Sequence, residues 1–167
     1  MQHPSLHIAL RVALAVIGLR LALFFAEPDW EFAEPFYYFV NLAALPALAL
    51  YAVWPRRGTG GFLSGTKSSL RITGLYSLIM TAFFFVYYGY IDKEFFPSHY
   101  EKLIGGELGA AAERGEELTA EEVREKVESF FSLRNATAIL LAGYMALSLF
   151  YSLFFSALRS ILPKRKN

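Results

Sequence analysis

Apolar residues run almost unbroken through four stretches of the chain, about residues 8–26, 36–54, 72–91 and 136–158, and polar residues gather in the gaps between them. A helix needs roughly 17 to 25 such residues to cross about 30 Å of hydrocarbon, so each stretch is long enough. The pattern predicts an all-α fold, an integral membrane four-helix bundle. Within the fourth stretch Ser148, Ser152, Ser156 and Ser160 recur every four residues among Leu147, Phe150, Tyr151, Phe154 and Phe155, which puts the hydroxyls on one helix face. Helices in lipid associate through small residues and polar contacts, because burying apolar surface gains nothing there. The stripe is therefore expected to be a helix-packing face, and Gly74, Ser77 and Thr81 offer a shorter one on the third span. Pro46 lacks an amide and frees the carbonyl of Leu42 beside Asn41, which predicts a kink in the second span.

Between the third and fourth spans, residues 92–134 change character. Ser98 with Glu101, directly after Pro97, and Thr119 with Glu122 both match S/T-x-x-E, in which the two side chains satisfy the first free amides of a helix. Helices are expected over about 99–112 and 120–133, with "ERGEE" as the turn. Tyr100, Leu103, Ile104 and Leu108 share a face of the first, and Val123, Val127, Phe130 and Phe131 a face of the second. Such stripes opposite charged faces fit a helical hairpin lying on the outer end of the bundle, on the membrane surface, or against a partner.

Composition agrees: 55% hydrophobic and 17% aromatic residues in 167 exceed what a soluble domain of this size carries. The first apolar stretch reads as a retained anchor, since "MQHPSLH" is a poor signal-peptide start and a cut after Ala26 leaves Phe24 at minus 3. The absence of cysteine removes disulfides, thiolate catalysis and thiolate metal ligation.

Charge adds orientation. All 15 acidic residues lie in two gaps: Glu27, Asp29, Glu31 and Glu34 in the first, the rest between Asp92 and Glu128. The second gap instead carries Arg56, Arg57, Lys67 and Arg71, and the tail Arg159, Lys164, Arg165 and Lys166. Short loops rich in Lys and Arg stay in the cytoplasm, so both termini are expected there and the acidic segments outside. The basic rim can meet anionic lipid headgroups. Trp30, Tyr37, Tyr38, Tyr87, Tyr88 and Tyr90 at the outer ends and Trp54 at the inner end read as interfacial belts.

The strongest polar signal inside a span is Arg20, in "VIGLRLALFF", because intramembrane arginine is rare and faces protein or a cavity. It lies six residues from the outer end of its span, about 9 Å at 1.5 Å per residue, and snorkelling outward to a carboxylate is expected. Glu27, Glu31, Asp92 and Glu94 are the candidate partners, with Arg20, Glu27, Asn41, Asp92 and Glu94 the polar residues available for structure or ligand. Catalytic constellations are not found. His3 and His7 stand four apart but have Pro4 between them and lack further ligands, "GTGG" has no following G-K-S/T, and the acids lack EF-hand spacing. "TGGFLSGTK" reads as a flexible cytoplasmic turn, the sequon Asn135-Ala136-Thr137 falls at the mouth of the fourth span, and His99 reads as a surface histidine at a helix start. No metal, cofactor or nucleic acid is expected.

The stretches "GFLSG", "YYGYIDKEFF" and "LTAEEVREKVESFFSLRN", the last leading into the final span and basic tail, resemble a bacterial family, mainly from Bacteroidota, described as domain of unknown function 4199. The likeness covers about residues 61–167, with Lys93 where the family often has proline. It implies a four-span inner-membrane protein with no established activity, and envelope-biogenesis neighbours such as membrane glycosyltransferases as conceivable partners. The expected function is a non-enzymatic inner-membrane scaffold, anchor or accessory subunit of an envelope complex. The alternatives are a small transporter or channel for an anionic solute, lined by Arg20, Asn41 and the serines, and a lipid-modifying enzyme using Asp92 or Glu94.

Overall fold

A computed structural model describes residues 4–26, 32–54, 61–115 and 119–161. The described residues form six α-helices: α1 (Pro4–Ala26), α2 (Ala33–Val53), α3 (Phe62–Val86), α4 (Phe95–Glu113), α5 (Ala120–Phe131) and α6 (Leu133–Ile161), with a π-helical turn, Tyr87–Ile91, closing α3. Four helical segments, Leu6–Ala26, Ala33–Val53, Phe62–Ile91 and Leu133–Ile161, are long and apolar enough to cross a membrane. The chain is an all-α, multi-pass membrane protein. It divides into two compact units, residues 1–80 with 142–167, and residues 81–141.

In the first unit α6 is built inside out. Its buried residues include Tyr144, Ser148, Ser152 and Ser156, while Met145, Leu149, Phe150, Leu153, Phe154, Leu158 and Ile161 are exposed. A soluble amphipathic helix does the reverse; hydroxyls inside and large apolar side chains outside is the arrangement that lipid as solvent selects. On α1, Ala9, Ala13, Val16 and Arg20 are buried at helical spacing, and α2 buries Ala33, Ala44, Leu45, Leu48, Ala49 and Ala52. The small residues let backbones approach.

The third span starts earlier than its apolar pattern indicates. Phe62–Lys67, expected as part of a flexible turn, is already helical, so Lys67 and Arg71 project from the first turns of α3. The helical segment through Ile91 has 30 residues, about 45 Å at 1.5 Å each, more than the hydrocarbon needs, and the excess carries the polar turns. The packing stripe differs too. Ser69, Thr73 and Ser77 are fully buried and Thr66 and Thr81 nearly so, whereas Gly74 lies off this line with nothing near its missing side chain. Pro46 sits inside α2, which continues through it to Val53.

In the second unit, the π turn is closed by the Asp92 amide donating to the Tyr87 carbonyl at 2.9 Å. Tyr88 then packs between Phe84 (4.7 Å between centroids) and Phe95 (4.3 Å), which fixes the bend from span to hairpin. Gly89 keeps this turn close to Leu133, whose Cδ2 would lie 3.3 Å from an added Cβ. The hairpin has its own small core of Ile104, Val123 and Val127 with Tyr100 and Leu108 against it. Its turn uses Gly115 at φ 72°, left-handed backbone that favours glycine. Arg124 reaches Glu101 at 2.8 Å and the Tyr100 hydroxyl donates to the Phe131 carbonyl at 3.0 Å.

Of the two expected capping boxes one forms. The Glu122 amide donates to Thr119 Oγ1 at 3.3 Å and the Thr119 amide to Glu122 Oε2 at 3.0 Å. The other does not, because α4 begins at Phe95, not at 99. The Ser98 amide already bonds the Glu94 carbonyl at 3.0 Å and its hydroxyl bonds the Phe95 carbonyl. Pro97 falls inside the first turn, where a missing amide costs nothing.

The box makes the hairpin sensitive to acid. The amide of Thr119, then its hydroxyl, then Lys126 hold the Glu122 carboxyl below its ordinary value against a small opposing effect of burial. A depressed carboxyl stabilises the fold fully above its unfolded pKa, about 4.3, and the contribution is lost as pH falls through the lower folded value. We expect the amide protection factors across residues 120–123 to fall below about pH 4, and Thr119→Ala to lower them roughly fivefold at pH 7, the effect of one lost N-cap. Hydrogen-exchange mass spectrometry checks both.

Candidate functional site: a polar column between the spans

The polar residues of the first unit form a column that starts at Arg20. The residue is 5% exposed; its guanidinium bonds Glu34 Oε1 through Nη2 at 3.0 Å and lies 5.4 Å from the centroid of the Tyr37 ring. Glu34 and Tyr37 are three residues apart in the first turns of α2, so one helix face offers both a carboxylate and a ring. One partner is thus Glu34, an acid of the following helix that was not among the four expected. Glu27 and Glu31 lie outside the described residues. Asp92 and Glu94 belong to the other unit, where their carbonyls accept from the Phe95 and Ser98 amides.

One turn beyond Tyr37, Asn41 meets two buried tyrosines. Tyr76 Oη directs its proton at Asn41 Oδ1 (2.6 Å) and at the Asn41 carbonyl (3.0 Å), and Asn41 Nδ2 donates to Tyr144 Oη at 2.5 Å. The two rings meet edge to face with centroids 6.5 Å apart. One buried amide so ties α2, α3 and α6 together.

Hydroxyl pairs continue the column. Ser77 Oγ gives its proton to the Thr73 carbonyl at 2.8 Å, so the 3.0 Å contact with Ser148 Oγ is donated by Ser148. Ser152 Oγ donates to Ser69 Oγ at 2.8 Å. Thr73 and Thr66 return their protons to the carbonyls of Ser69 and Phe62. Ser156 faces Gly65, where an added Cβ would stand 3.0 Å from Ser156 Oγ. Counted along α2 from Glu34 to Asn41 and along α6 from Tyr144 to Ser156, the column extends about 28 Å at 1.5 Å per residue, close to the hydrocarbon thickness of about 30 Å.

These contacts place every span of the first unit against a neighbour through at least one polar group, and most of the chain conforms to one family model. The family described as protein of unknown function (DUF4199) matches over residues 8–163. This chain belongs to the DUF4199 family. No curated protein and no solved structure matches it.

For a DUF4199 protein the interior chemistry is that of packing groups. Among the described residues no three His, Cys, Asp or Glu side chains gather as metal ligands. His3 lies outside those residues and His7 is exposed. His99 stacks on Phe95 at 4.1 Å and its Nδ1 lies 2.7 Å from the Phe95 carbonyl, a contact that requires the proton on Nδ1. The Asn135 side chain of the sequon donates to the Ser129 carbonyl, and its amide is capped by Ser132 Oγ at 3.3 Å. Tyr37, expected in an interfacial belt, is buried under Arg20, and Tyr87 and Tyr88 are buried too; Tyr38, Tyr90 and Trp54 remain exposed.

Sequence reasoning missed Tyr76, Tyr144 and the role of Glu34. Tyr144 was findable, since it continues the four-residue serine register backwards from Ser148. Glu34 was less so, because a partner across a turn is set by how two helices pack.

Removing one half of a shielded ion pair takes a charged hydrogen bond from the other half. Glu34→Ala is therefore expected to destabilise the detergent-solubilised protein by on the order of 1–2 kcal/mol, less than a fully buried pair because the carboxylate is half exposed. Arg20→Leu combined with Glu34→Ala should recover most of that loss. Tyr76→Phe should cost about 0.6–1.7 kcal/mol, the range for hydrogen bonds between membrane helices. Thermal unfolding of the four proteins in one detergent gives the comparison.

Proposed function

We propose that the protein is a non-enzymatic accessory or scaffold subunit of an envelope complex in the bacterial inner membrane, with both termini in the cytoplasm and the α4–α5 hairpin in the periplasm. The observation that carries this reading is that most polar groups of the column are spent on each other. Arg20 on Glu34, Asn41 on two tyrosines, and serine on serine across α3 and α6 hold helices together and leave the exposed hairpin as the element for a partner. The lysines and arginines of the second loop and tail support the orientation, since short basic loops resist translocation. The envelope-biogenesis setting implied by the family resemblance makes a membrane glycosyltransferase a reasonable partner.

A second reading, a small transporter for an anionic solute, draws on one fact: a buried arginine heads a polar column about as long as the hydrocarbon is thick. The two readings separate in liposomes. Flux of a small anion above that of empty liposomes, and reduced by Arg20→Ala, would favour transport; the accessory reading expects flux equal to empty liposomes.

The chain lacks cysteine, so single substitutions report orientation cleanly. Ser98→Cys is expected to react with an impermeant maleimide in spheroplasts and Ser160→Cys only after lysis; the reverse pattern overturns the topology. Purification from native membranes in mild detergent should return a defined second protein in stoichiometric amount, lost on Glu121→Lys with Glu125→Lys, two exposed hairpin acids. Recovery of the chain alone counts against the accessory role.

A further inference from the structure

The foot of the α4–α5 hairpin carries apolar side chains that the hairpin's own core does not use. The apolar period of α5 runs through Val123 and Val127 to Phe130 and Phe131, and in a hairpin folding in water all four would be covered. Only the valines are. The core closes around them with Ile104, Tyr100 and Leu108, whereas Phe130 is 72% and Phe131 48% exposed. The backbone at this point is pinned on both sides: the Phe131 carbonyl accepts from the Tyr100 hydroxyl of α4 at 3.0 Å, and the Ser129 carbonyl from the Asn135 side chain of α6. Ser132 then caps α6 by taking the Asn135 amide on its hydroxyl at 3.3 Å. The two phenylalanines are therefore held outward.

The spans fix the level at which they stand. The helix α6, long and apolar enough to cross a membrane, starts at Leu133, two residues after Phe131. Gly89, in the π turn that ends the third span, lies against the same Leu133, whose Cδ2 would be 3.3 Å from an added Cβ, so the ends of the two spans are side by side. Next to Gly89, Tyr90 and Ile91 add two more exposed side chains at this level. Charge then limits the depth. Asp92, Lys93 and Glu94 follow Ile91 directly, Glu128 stands two residues before Phe130, and Arg134 follows Leu133; charged groups resist entry into hydrocarbon. Aromatic and apolar side chains just outside a span and bracketed by charge suit the boundary between headgroups and acyl chains.

We infer that the foot of the hairpin, Phe130 and Phe131 with Tyr90 and Ile91, is seated in the headgroup–acyl boundary of the leaflet on the hairpin's side. The occupant is lipid because the foot continues a surface that faces lipid already: Phe85 and Val86, about one turn deeper in the third span, and Ile139, further along α6, are exposed as well. The hairpin thus stands on the bilayer by its phenylalanines, while Glu121 and Glu125 of α5 stay in water. This goes beyond the accessory role and depends neither on it nor on which side of the membrane the hairpin occupies.

The chain has no cysteine, so nitroxide spin labels on single cysteines test the inference in the full-length protein, reconstituted in vesicles of phosphatidylethanolamine and phosphatidylglycerol. Each label is scored by its collisions with oxygen, which concentrates in lipid, and with a nickel chelate, which stays in water. Phe130→Cys and Tyr90→Cys at the foot, Glu113→Cys at the end of α4 next to the hairpin turn, and Leu149→Cys on the outward face of α6 are all exposed positions, so the labels leave the core intact. Both foot labels are expected to favour oxygen over nickel severalfold more than Glu113→Cys does, and less than Leu149→Cys, as befits a depth of about 5–10 Å in the boundary region. The inference is overturned if either foot label meets nickel as often as Glu113→Cys, which puts the foot in water. It is equally overturned if a foot label collides with neither reagent, which means that a second copy or another protein covers it, or if Glu113→Cys favours oxygen as strongly as the foot, which means that the whole hairpin lies in lipid.

Discussion

Helices in hydrocarbon gain nothing by hiding leucine from lipid, so what holds α1, α2, α3 and α6 to one another has to come from close packing and from polar groups that lipid cannot satisfy. That constraint organises the first unit. The side chains that would be solvated on a soluble protein, Arg20, Asn41, Tyr76, Tyr144, Ser148, Ser152 and Ser156, are the buried ones, and Leu149, Phe150, Leu153, Phe154 and Leu158 of α6 face outward. Each polar contact is worth little by itself, but each has a specific geometry, and together they set which faces of the helices meet.

Asn41 has the largest share of that specification. An amide offers two donors and two acceptor positions, and here they engage Tyr76 on α3 and Tyr144 on α6 from a position on α2. Serine pairs then align α3 with α6 in steps of one helical turn. Arg20 fastens α1 to the first turn of α2, where the helix dipole opposes an arginine but Glu34 and the Tyr37 ring more than offset it. Ser156 is the one serine of the buried register that this network leaves without a hydrogen-bond partner.

The α4–α5 hairpin of the second unit obeys ordinary aqueous rules. It buries valine, isoleucine and leucine, displays acids, and starts α5 with a capping box. That is why its helices were legible from sequence: caps and apolar faces are local signals. The exception is the start of α4, where Ser98 and Glu101 imitate a capping box. The π turn and the stacking of Tyr88 on Phe95 carry the helix start back to Phe95, a consequence of contacts between residues on either side of the bend.

The sequence by itself determined the all-α class, the four apolar spans, the separation of acidic from basic segments and the serine register, because each depends on length, hydropathy or a period of one helical turn. It also singled out Arg20 and Asn41 as polar groups a membrane interior has to satisfy. Only the tertiary structure decided their partners, Glu34 with Tyr37, and Tyr76 with Tyr144. Those pairings join residues 14 to 103 positions apart, and they depend on how far each helix is rotated and shifted against its neighbour. No local period encodes that, since in lipid every face of a helix is apolar enough to be outside.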